Sequence, residues 1–424
     1  MRNLLFCILT ILPLTASAQL TIDEAQEMAR QNYPAIRQYG LVEQSRDFTL
    51  SNAVKGWLPQ VSANARATYQ NKVTELPIDV RQFGADFDGL SKDQYDVNVT
   101  VNQTIYDGGQ IAAGKKVTQA QADVQTQQMN VTLYAIRDRV NQLFFGVLLT
   151  DEQLEQNRLL QDDLAIGLKS VEALIRGGLA NETDADAVRV EQIKARQQEG
   201  TLKTMRQTYL TMLSTFIGKP LDGSTKLQKP TDELSSTEIN RPELSFYDAQ
   251  DRWLDTRLKA LDARLMPNVG AFVQGGYGKP GLNMLGTKWD TYFKVGATLS
   301  WNIGALYTRK NDQQLIANER EQVETQRQTF LFNTRLQSQQ SNGMIENLRQ
   351  QISDDDAIIR LRENIRSKSE RRVSNGTETV NEMLRDINAV GEARQQRAIH
   401  EVQLLQEIHH LKYIINKGKV NSEK

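Results

Sequence analysis

Two kinds of hydrophobic pattern follow one another along the chain, and the first is a strict alternation. Over residues 61–69 and 95–105, apolar side chains occupy mainly the odd positions and polar side chains the even ones. A period of two is typical of β-strands with one apolar and one polar face. Similar runs occur near 269–277 and 291–303, although Phe272 falls among the polar positions. The pattern predicts strands near residues 58–70, 95–106, 266–278 and 291–303.

The second pattern is a spacing of three and four residues. It begins after each pair of predicted strands and is clear at Leu133, Ile136, Val140, Leu143 and Val147. This spacing indicates helices that pack along a narrow apolar seam, as in coiled coils. The other helix faces, rich in Gln, Asn, Arg and Glu, are predicted to be polar all round.

Glycines divide each helical segment into two arms. Gly177 and Gly178 are the only convincing break in residues 110–217, so we predict a first arm of about 100 Å at 1.5 Å per residue and an antiparallel second arm. In the second half, Asn375 and Gly376 are the predicted turn between arms near 308–373 and 379–416. A short entry helix precedes each strand pair: Thr21 and Glu24 fit a capping box, and Pro242 suits a first helical turn.

The two halves of the chain are copies of one unit. Tyr69 matches Tyr277 at a displacement of 208, whereas Ile105 matches Ile303 at 198. The ten-residue difference therefore lies between the first two strands, in a loop that is free to vary. We predict a first repeat at 19–239 with the helical hairpin 110–217, a second repeat at 240–417 with the hairpin 308–416, and a tail at 418–424.

Residues 1–18 have the pattern of a secretory signal. Arg2 precedes a short apolar run, and Ala16-Ser17-Ala18 suits cleavage before Gln19. The only cysteine, Cys7, lies in the apolar run, so the mature chain is predicted to contain neither a disulfide nor an N-terminal lipid.

Composition excludes some partners. With 24% charged residues and a formal net charge of -1, the chain has no strong positive electrostatic field that would attract nucleic acid. No segment after the signal reaches the roughly eighteen apolar residues that a transmembrane helix needs.

The apolar face of the strands has two explanations. It could pack on a second sheet in a soluble sandwich, or it could face lipid. The strands approach the nine to eleven residues of a tilted transmembrane strand, and aromatic residues cluster at their ends, which favours lipid. Four strands cannot close a barrel, and open edges in lipid are costly, so the membrane interpretation requires oligomerisation.

The chain resembles the TolC-type family of outer-membrane efflux and secretion ducts across nearly its whole mature length. The residues that carry the resemblance are Leu20-Thr21-Ile22-Asp23-Glu24-Ala25, Asn32-Tyr33-Pro34, Trp57-Leu58-Pro59, Ile105-Tyr106-Asp107-Gly108-Gly109, Gly178-Leu179 and their partners in the second half. Each motif is weak alone, but the order occurs twice.

The resemblance implies a mixed α+β membrane protein: a homotrimer with a twelve-stranded β-barrel, four strands per chain, in outer-membrane lipid. A twelve-helix α-barrel would continue it across the periplasm. The implied function is the exit duct of a tripartite efflux or type I secretion system, with a periplasmic adaptor (membrane fusion) protein and an inner-membrane transporter as partners. The cargo, whether drug, metal or polypeptide, would be chosen by the transporter.

The hairpin turns match the family's tip motif for adaptor contact. The matching residues are Gly178, Leu179, Gly376 and Thr377. The plainer alternative is that these glycines only end helices.

A second group of residues corresponds to the family's periplasmic gate. Thr183 and Asp184 match a pair that latches neighbouring hairpins through an arginine, but here Glu378 stands at the arginine position and would repel Asp184. Arg371 and Arg372, one turn earlier, are candidates to replace it.

The family's acidic constriction is also altered. Glu382 stands at its first position, but Arg385 stands at the second, with Asp386 beside it. A ring of Glu382 would favour cations and a ring of Arg385 would oppose this. Ordinary solvated helix charges are the alternative.

Functions from other classes have little support. His400, His409 and His410 are the only histidines, and their spacing does not bring them together as a metal site, so they are predicted to be helix-surface residues. Without a phosphate-binding glycine loop or a Gly-x-Ser-x-Gly motif, no catalytic residue, metal or cofactor is predicted. The alternative function is a surface or periplasmic coiled-coil protein for structure or adhesion.

Overall fold

The computed structural model describes residues 19–73, 91–231, 238–283 and 287–415. In chain order its elements are α1 Ile22–Asn32, α2 Gln38–Val54, β1 Gln60–Tyr69, β2 Asp93–Tyr106, α3 Gln110–Tyr134, α4 Ile136–Arg176, α5 Glu182–Ile217, α6 Pro242–Ala263, β3 Asn268–Lys279, β4 Asp290–Ser300, α7 Ala305–Ser374 and α8 Val380–Ile415. Short 3-10 turns at Pro34–Arg37 and Lys55–Trp57 flank α2. The predicted signal at 1–18 and the tail at 418–424 lie outside the described residues.

The chain forms two compact units. One comprises the described residues of Met1–Ile36, Asn130–Arg241 and Phe330–Lys424, and the other comprises those of Arg37–Met129 and Pro242–Thr329. We call them the helical unit and the sheet unit. Each repeat contributes to both, because α3 and α7 run from one unit into the other.

The sheet unit contains one antiparallel sheet in the order β1-β2-β3-β4. Its register places Val99 of β2 between Ala63 of β1 and Gly275 of β3. Each strand pairs with the strand that follows it in the sequence, so the β1-β2 pair of the first repeat lies beside the β3-β4 pair of the second. Among the described residues, β1 and β4 each have a strand neighbour on one side only.

The apolar face of the sheet is exposed. Val61 is 68% exposed, Val99 47%, Phe293 78% and Val295 68%. On β2 the polar residues between them, such as Asn98, are only half-exposed. In a soluble sheet the apolar face would be the covered one.

Phe272, which breaks the alternation on β3, is explained by its cross-strand neighbour. It pairs with Gly296 of β4. A Cβ atom at Gly296 would lie 2.7 Å from Phe272 Cε1, so the ring occupies the space that a side chain would fill. Covering a glycine with an aromatic ring on the next strand is a known way to fix strand register.

Aromatic residues collect at both ends of the sheet. At the end near the β3–β4 loop, Tyr95 and Tyr277 stack on Trp289, with ring centroids 5.7 and 5.0 Å apart. At the opposite end, the indole Nε1 of Trp301 donates to the Leu265 carbonyl at 2.9 Å. An apolar band flanked by aromatic residues is typical of a membrane-spanning sheet.

The Asp107-Gly108-Gly109 motif starts α3. The Asp107 carboxylate accepts from the backbone N–H groups of Gly109 at 2.8 Å and Ile111 at 2.6 Å. Gly108 has φ +68°, and a Cβ there would meet Met266 Cβ at 2.6 Å. The turn from β2 into the long helix therefore needs both the acid and the glycine.

The helical unit is held together by packing of both repeats on one another. Val140, Phe144 and Val147 of α4 are fully buried. Towards the hairpin turns, one apolar cluster joins α4, α5, α7 and α8 and consists of Leu164, Val171, Ala185, Val188, Ala195, Val373, Val380, Met383, Leu384 and Ile387. A second cluster, further from the turns, joins Ile345 and Leu348 of α7 to residues 404–415 of α8.

Several predicted boundaries need correction. The arm expected from 110 to 176 is two helices, interrupted at Ala135 where the neighbouring Tyr134 hydroxyl donates to the Tyr413 carbonyl at 2.5 Å. β4 ends at Ser300 and α7 begins at Ala305, because residues 302–304 form a turn. The entry helices are longer than predicted: α1 is followed by α2, and α6 has 22 residues. The capping box of Thr21 and Glu24 is confirmed.

The prediction that the outer helix faces are polar all round is wrong for two helices. On α5, Val190, Ile193, Met205 and Met212 are 43–50% exposed. On α7, large apolar side chains are exposed along most of its length at Leu315, Phe332, Leu336, Met344, Ile358, Leu361 and Ile365. We call these two stripes the α5 seam and the α7 seam.

Among the described helices, none combines the length and the apolar character required to cross a membrane.

Candidate functional site

Both hairpin turns have the same backbone geometry. At the first, Gly178 has φ +75°, its N–H donates to the Ile175 carbonyl at 3.0 Å, and the Leu179 N–H donates to the Leu174 carbonyl at 2.9 Å. This pair of bonds is a Schellman motif, which requires a left-handed residue after the helix. Leu179 is 64% exposed.

The second turn repeats this arrangement. Gly376 has φ +69°, its N–H donates to the Val373 carbonyl at 2.9 Å, and the Thr377 N–H donates to the Arg372 carbonyl at 2.9 Å. The Thr377 hydroxyl also donates to the Arg372 carbonyl at 3.1 Å. The four predicted tip residues therefore form two equivalent, exposed turns.

The helices that leave these turns start with capping boxes that sequence reasoning missed. Asn181 accepts from the Asp184 N–H at 3.2 Å, and Asp184 accepts from the Asn181 N–H at 3.0 Å. Thr379 and Glu382 make the same exchange at 3.3 and 3.0 Å. The sequence contained the information needed to predict these boxes. Both pairs have the spacing of Thr21 and Glu24, and they are related by the repeat displacement of 198.

Glu378 lies in a small polar niche beside the second turn. Its Oε1 accepts from the Ser369 hydroxyl at 2.9 Å, and its side chain is 15% exposed. Its Oε2 has no hydrogen-bond partner among the described residues, although Arg372 Nη1 lies 3.9 Å away. Arg371 instead donates to Ser367 at 3.0 Å. Within one chain, Asp184 and Glu378 thus bind different partners.

Glu382 and Arg385 lie on an exposed side of α8, while Asp386 is half-buried. Hydrogen bonds from the Thr379 backbone N–H and hydroxyl hold the pKa of Glu382 below its ordinary value, and the charge of Arg385 lowers it further. Glu382 therefore carries a negative charge that the cap and Arg385 partly offset. Thr183 is exposed in the first turn of α5.

The histidines are not the surface residues predicted. His409 is buried, and its ring lies 5.4 Å from that of Phe145, centroid to centroid. His400 is largely covered and its Nδ1 is 2.6 Å from Asp355 Oδ2, because residues of α7 pack over it. Only His410, 3.4 Å from Asp138 and 43% exposed, fits the expectation. Within the described ranges, no three His, Cys, Asp or Glu side chains are arranged to hold a metal ion.

Replacing either turn glycine by alanine is expected to loosen the tip. Nothing lies within 4 Å of a Cβ at Gly178 or Gly376, so the cost comes from the positive φ alone and is about 1 kcal/mol at each site. Hydrogen exchange of the Leu179 and Thr377 amides should accelerate roughly fivefold in the matching variant. Gly343→Ala on α7 is the control, since a helical glycine with open space should gain stability. Equal exchange in all three variants would contradict the assignment.

Comparison with known proteins finds a family model that matches part of the chain. Residues 25–219 match the family model of the outer membrane efflux proteins. Among curated protein sequences, none matches the chain.

Solved structures match over nearly the whole chain. The CmeC outer membrane channel of Campylobacter jejuni has a TM-score of 0.63 at 11% identity, covering 95% of this chain and 87% of that one. The outer membrane protein VceC of Vibrio cholerae has a TM-score of 0.64 at 13% identity, covering 93% and 94%. The Neisseria gonorrhoeae MtrE channel in its open state has a TM-score of 0.64 at 12% identity, covering 93% and 88%. These likenesses extend the shared fold to the second repeat.

The sheet and the hairpins belong to a fold that this chain shares with solved outer membrane channels. The family match covers residues 25–219, which is less than half of the 424 residues. This segment of the first repeat is similar to the outer membrane efflux proteins, in agreement with the resemblance found in the sequence.

Proposed function

We propose that this protein is the exit duct of a tripartite efflux or type I secretion system. Three copies would form a twelve-stranded barrel in the outer membrane, continued by a twelve-helix periplasmic tube. The duct would receive its cargo from an inner-membrane transporter through a periplasmic adaptor. The repeat boundaries would then be 19–239 and 240–417, each repeat contributing two strands and one hairpin to the tube.

The observation that carries this proposal is the exposed apolar face of the sheet. Its large apolar residues are mostly exposed, and on β2 the polar residues between them are the more covered ones, while β1 is exposed on both faces. Burying that face in lipid removes it from water, and the favourable free energy is about 25 cal/mol per Å² of apolar area. The polar face, with Asp96, Asn98, Thr100 and Lys294, would line a water-filled lumen.

The edges of the sheet support self-association. In the part of the chain that the structure describes, the outer sides of β1 and β4 pair with no other strand. Unpaired backbone groups cost several kcal/mol each in hydrocarbon. Pairing β1 of one copy with β4 of the next satisfies both edges, and a closed ring leaves no edge. The α5 seam and the α7 seam are exposed in one chain, and we infer that they meet in the same assembly.

The tips and the gate belong to this proposal. The exposed turns at Gly178-Leu179 and Gly376-Thr377 are suited to contact the adaptor. We propose that the gate residues are Thr183, Asp184, Arg371, Arg372, Glu378, Glu382, Arg385 and Asp386. Within one chain these carboxylates already have partners: Asp184 and Glu382 are engaged in capping boxes, and the buried Oε2 of Glu378 lies 3.9 Å from Arg372 Nη1.

Planar-bilayer recording of the purified protein tests the channel, and gel migration tests the trimer. We expect discrete conductance steps after reconstitution, and a band near three chain masses that shifts to one chain mass after boiling. The two readouts have a common cause, since closing the barrel creates both the pore and the heat-resistant assembly. A coiled-coil adhesion or structural protein would give neither, and that result would overturn the proposal.

A further inference from the structure

The sequence contains two Asn-Gly pairs, and each is preceded by serine. Ser341-Asn342-Gly343 lies in the middle of α7, whereas Ser374-Asn375-Gly376 lies at the end of α7, in the second hairpin turn. An asparagine followed by glycine is chemically labile, because glycine has no side chain to shield its backbone nitrogen from the asparagine amide. The two sites therefore place one reactive tripeptide in two different conformations.

The reaction of such a pair needs only water as a co-reactant. The backbone nitrogen of the glycine attacks the side-chain amide carbon of the asparagine, ammonia leaves with the proton of that nitrogen, and a five-membered succinimide ring forms. Water then opens the ring at either carbonyl and yields aspartate or isoaspartate. Both products have a carboxylate in place of a neutral amide, and isoaspartate also lengthens the backbone by one methylene group.

Asn342 is held in helical structure on both sides. The preceding Ser341 is 3% exposed, and Ile345 is 2% exposed in an apolar cluster with α8. For the Gly343 nitrogen to reach the Asn342 side chain, the chain must leave the helical conformation and lose helical hydrogen bonds. Breaking α7 here would also expose its buried neighbours, so we expect this site to react slowly.

Asn375 lies where α7 has already ended. Asn375, Gly376 and Thr377 are all exposed. The Gly376 N–H donates to the Val373 carbonyl at 2.9 Å, and a Cβ atom at Gly376 would meet nothing within 4 Å. A turn at the end of a helix can open locally while the helix stays folded, and this opening frees the Gly376 nitrogen.

The first hairpin turn lacks this reactive amide. At the displacement of 198, Asn375 corresponds to Gly177 and Gly376 corresponds to Gly178. The two turns have the same pair of backbone hydrogen bonds, so the turn geometry does not require an asparagine. Reaction at Asn375 would therefore make two otherwise equivalent tips chemically different.

We propose that Asn375 is a site of spontaneous deamidation, which converts the second tip from a neutral to a negatively charged surface. The new carboxylate lies at the C-terminal end of α7, where the helix dipole disfavours negative charge. The product therefore loosens the turn that contains Gly376 and Thr377. The reaction itself does not depend on the channel function, whereas its effect on adaptor contact rests on that proposal.

Peptide mapping measures both sites in one sample of the full chain. Cleavage by trypsin after arginine releases residues 336–349, which contain Asn342, and residues 373–385, which contain Asn375. The folded protein is incubated at mildly alkaline pH, and a second sample is incubated in denaturant, where both tripeptides lack structure. Digestion follows at slightly acidic pH, where the reaction is slow, and fragment masses locate the change from amide to carboxylate.

In the folded protein we expect Asn375 to react at least about tenfold faster than Asn342, because local opening is much easier at the turn. In denaturant the two rates should be similar. Equal rates in the folded protein, or a faster reaction at Asn342, would overturn the proposal.

Asn375→Gln is the control variant. Glutamine keeps the amide but would have to form a six-membered ring, so it should stay unmodified. Hydrogen exchange of the Thr377 amide should accelerate as the parent protein ages and should stay constant in Asn375→Gln. Constant exchange in a deamidated parent would overturn the loosening of the turn. Because no readout uses conduction, a protein that does not conduct would refute the channel function and leave these measurements to decide the modification.

Discussion

An arginine in place of Val99 is expected to keep the protein out of the outer membrane, whereas an arginine in place of the adjacent Thr100 is expected to be tolerated. The two residues lie at the middle of β2 and point to opposite faces of the sheet. Val99 belongs to the exposed apolar face and lies between Ala63 and Gly275. Thr100 lies between Ser62 and Gln274 on the polar face.

The magnitude follows from the cost of a charge in lipid. An arginine on the lipid face near the bilayer centre destabilises a membrane barrel by about 2–4 kcal/mol, and a barrel of three chains would contain three such arginines. Even 2 kcal/mol lowers the equilibrium constant for assembly about thirtyfold. On the luminal face the guanidinium stays in water, so the same side chain costs little.

The amount of heat-modifiable assembly in the outer-membrane fraction measures the effect. Val99→Arg should reduce it at least tenfold relative to Thr100→Arg when both are expressed to the same level. If Thr100→Arg is the damaging change instead, the faces are assigned the wrong way round. If both are tolerated, the sheet does not span lipid.

Local periodicity explains why so much of the sheet unit was predictable. The alternation over 61–69 and 95–105 depends only on neighbouring residues, and it defined the two faces before any pairing was known. The capping box at Thr21 and Glu24 is equally local and is present. By contrast, the conformation of Phe272 depends on Gly296, a partner on another strand. No alternation within β3 could reveal it.

In the helical unit, too, contacts between residues far apart in the sequence could not be predicted from local patterns. His409 has the spacing of an ordinary helix residue, but the Phe145 ring that packs against it comes from the other repeat. Asp163 appears as one of several acidic residues on α4, and its partners Arg366 and Arg394 lie 203 and 231 residues further along the chain. The spacing of apolar residues along a helix predicts the face on which a residue lies, but not which other element packs over that face. The burial of His409 and the ion pairs of Asp163 therefore required the structure.

Moderate acid is expected to destabilise the helical unit through His409. Its side chain is buried, its Nε2 has no hydrogen-bond partner among the described residues, and burial with the nearby charge of Lys412 lowers its pKa to about 4. In the unfolded chain the pKa is about 6.5. The unfolded state binds the proton first, so stability falls as the pH drops from about 6.5 to 4. The loss approaches about 3 kcal/mol per chain, since one pKa unit corresponds to roughly 1.4 kcal/mol.

His409→Leu should remove this part of the acid sensitivity. Leucine keeps an apolar side chain against Phe145 and removes a buried nitrogen that has no partner, so stability near pH 7.5 should change far less than stability near pH 4.5. Denaturant unfolding of the purified protein at both values measures the difference. Because other carboxylates also titrate in this range, the comparison is between variant and parent. The same acid loss in both proteins would contradict the role of His409.

The neighbouring His410 has the opposite sign and provides the control. The hydrogen bond to Asp138 raises its pKa, against an opposing effect of burial, and the charge of Glu407 raises it further. Its stabilising contribution is therefore present below the unfolded pKa of about 6.5 and is lost as the pH rises through its higher folded value. His410→Gln removes that contribution, so the variant should lose more stability than the parent on acidification, whereas His409→Leu loses less. Two adjacent histidines on one helix would then shift the acid response in opposite directions, which a general effect of histidine content cannot produce.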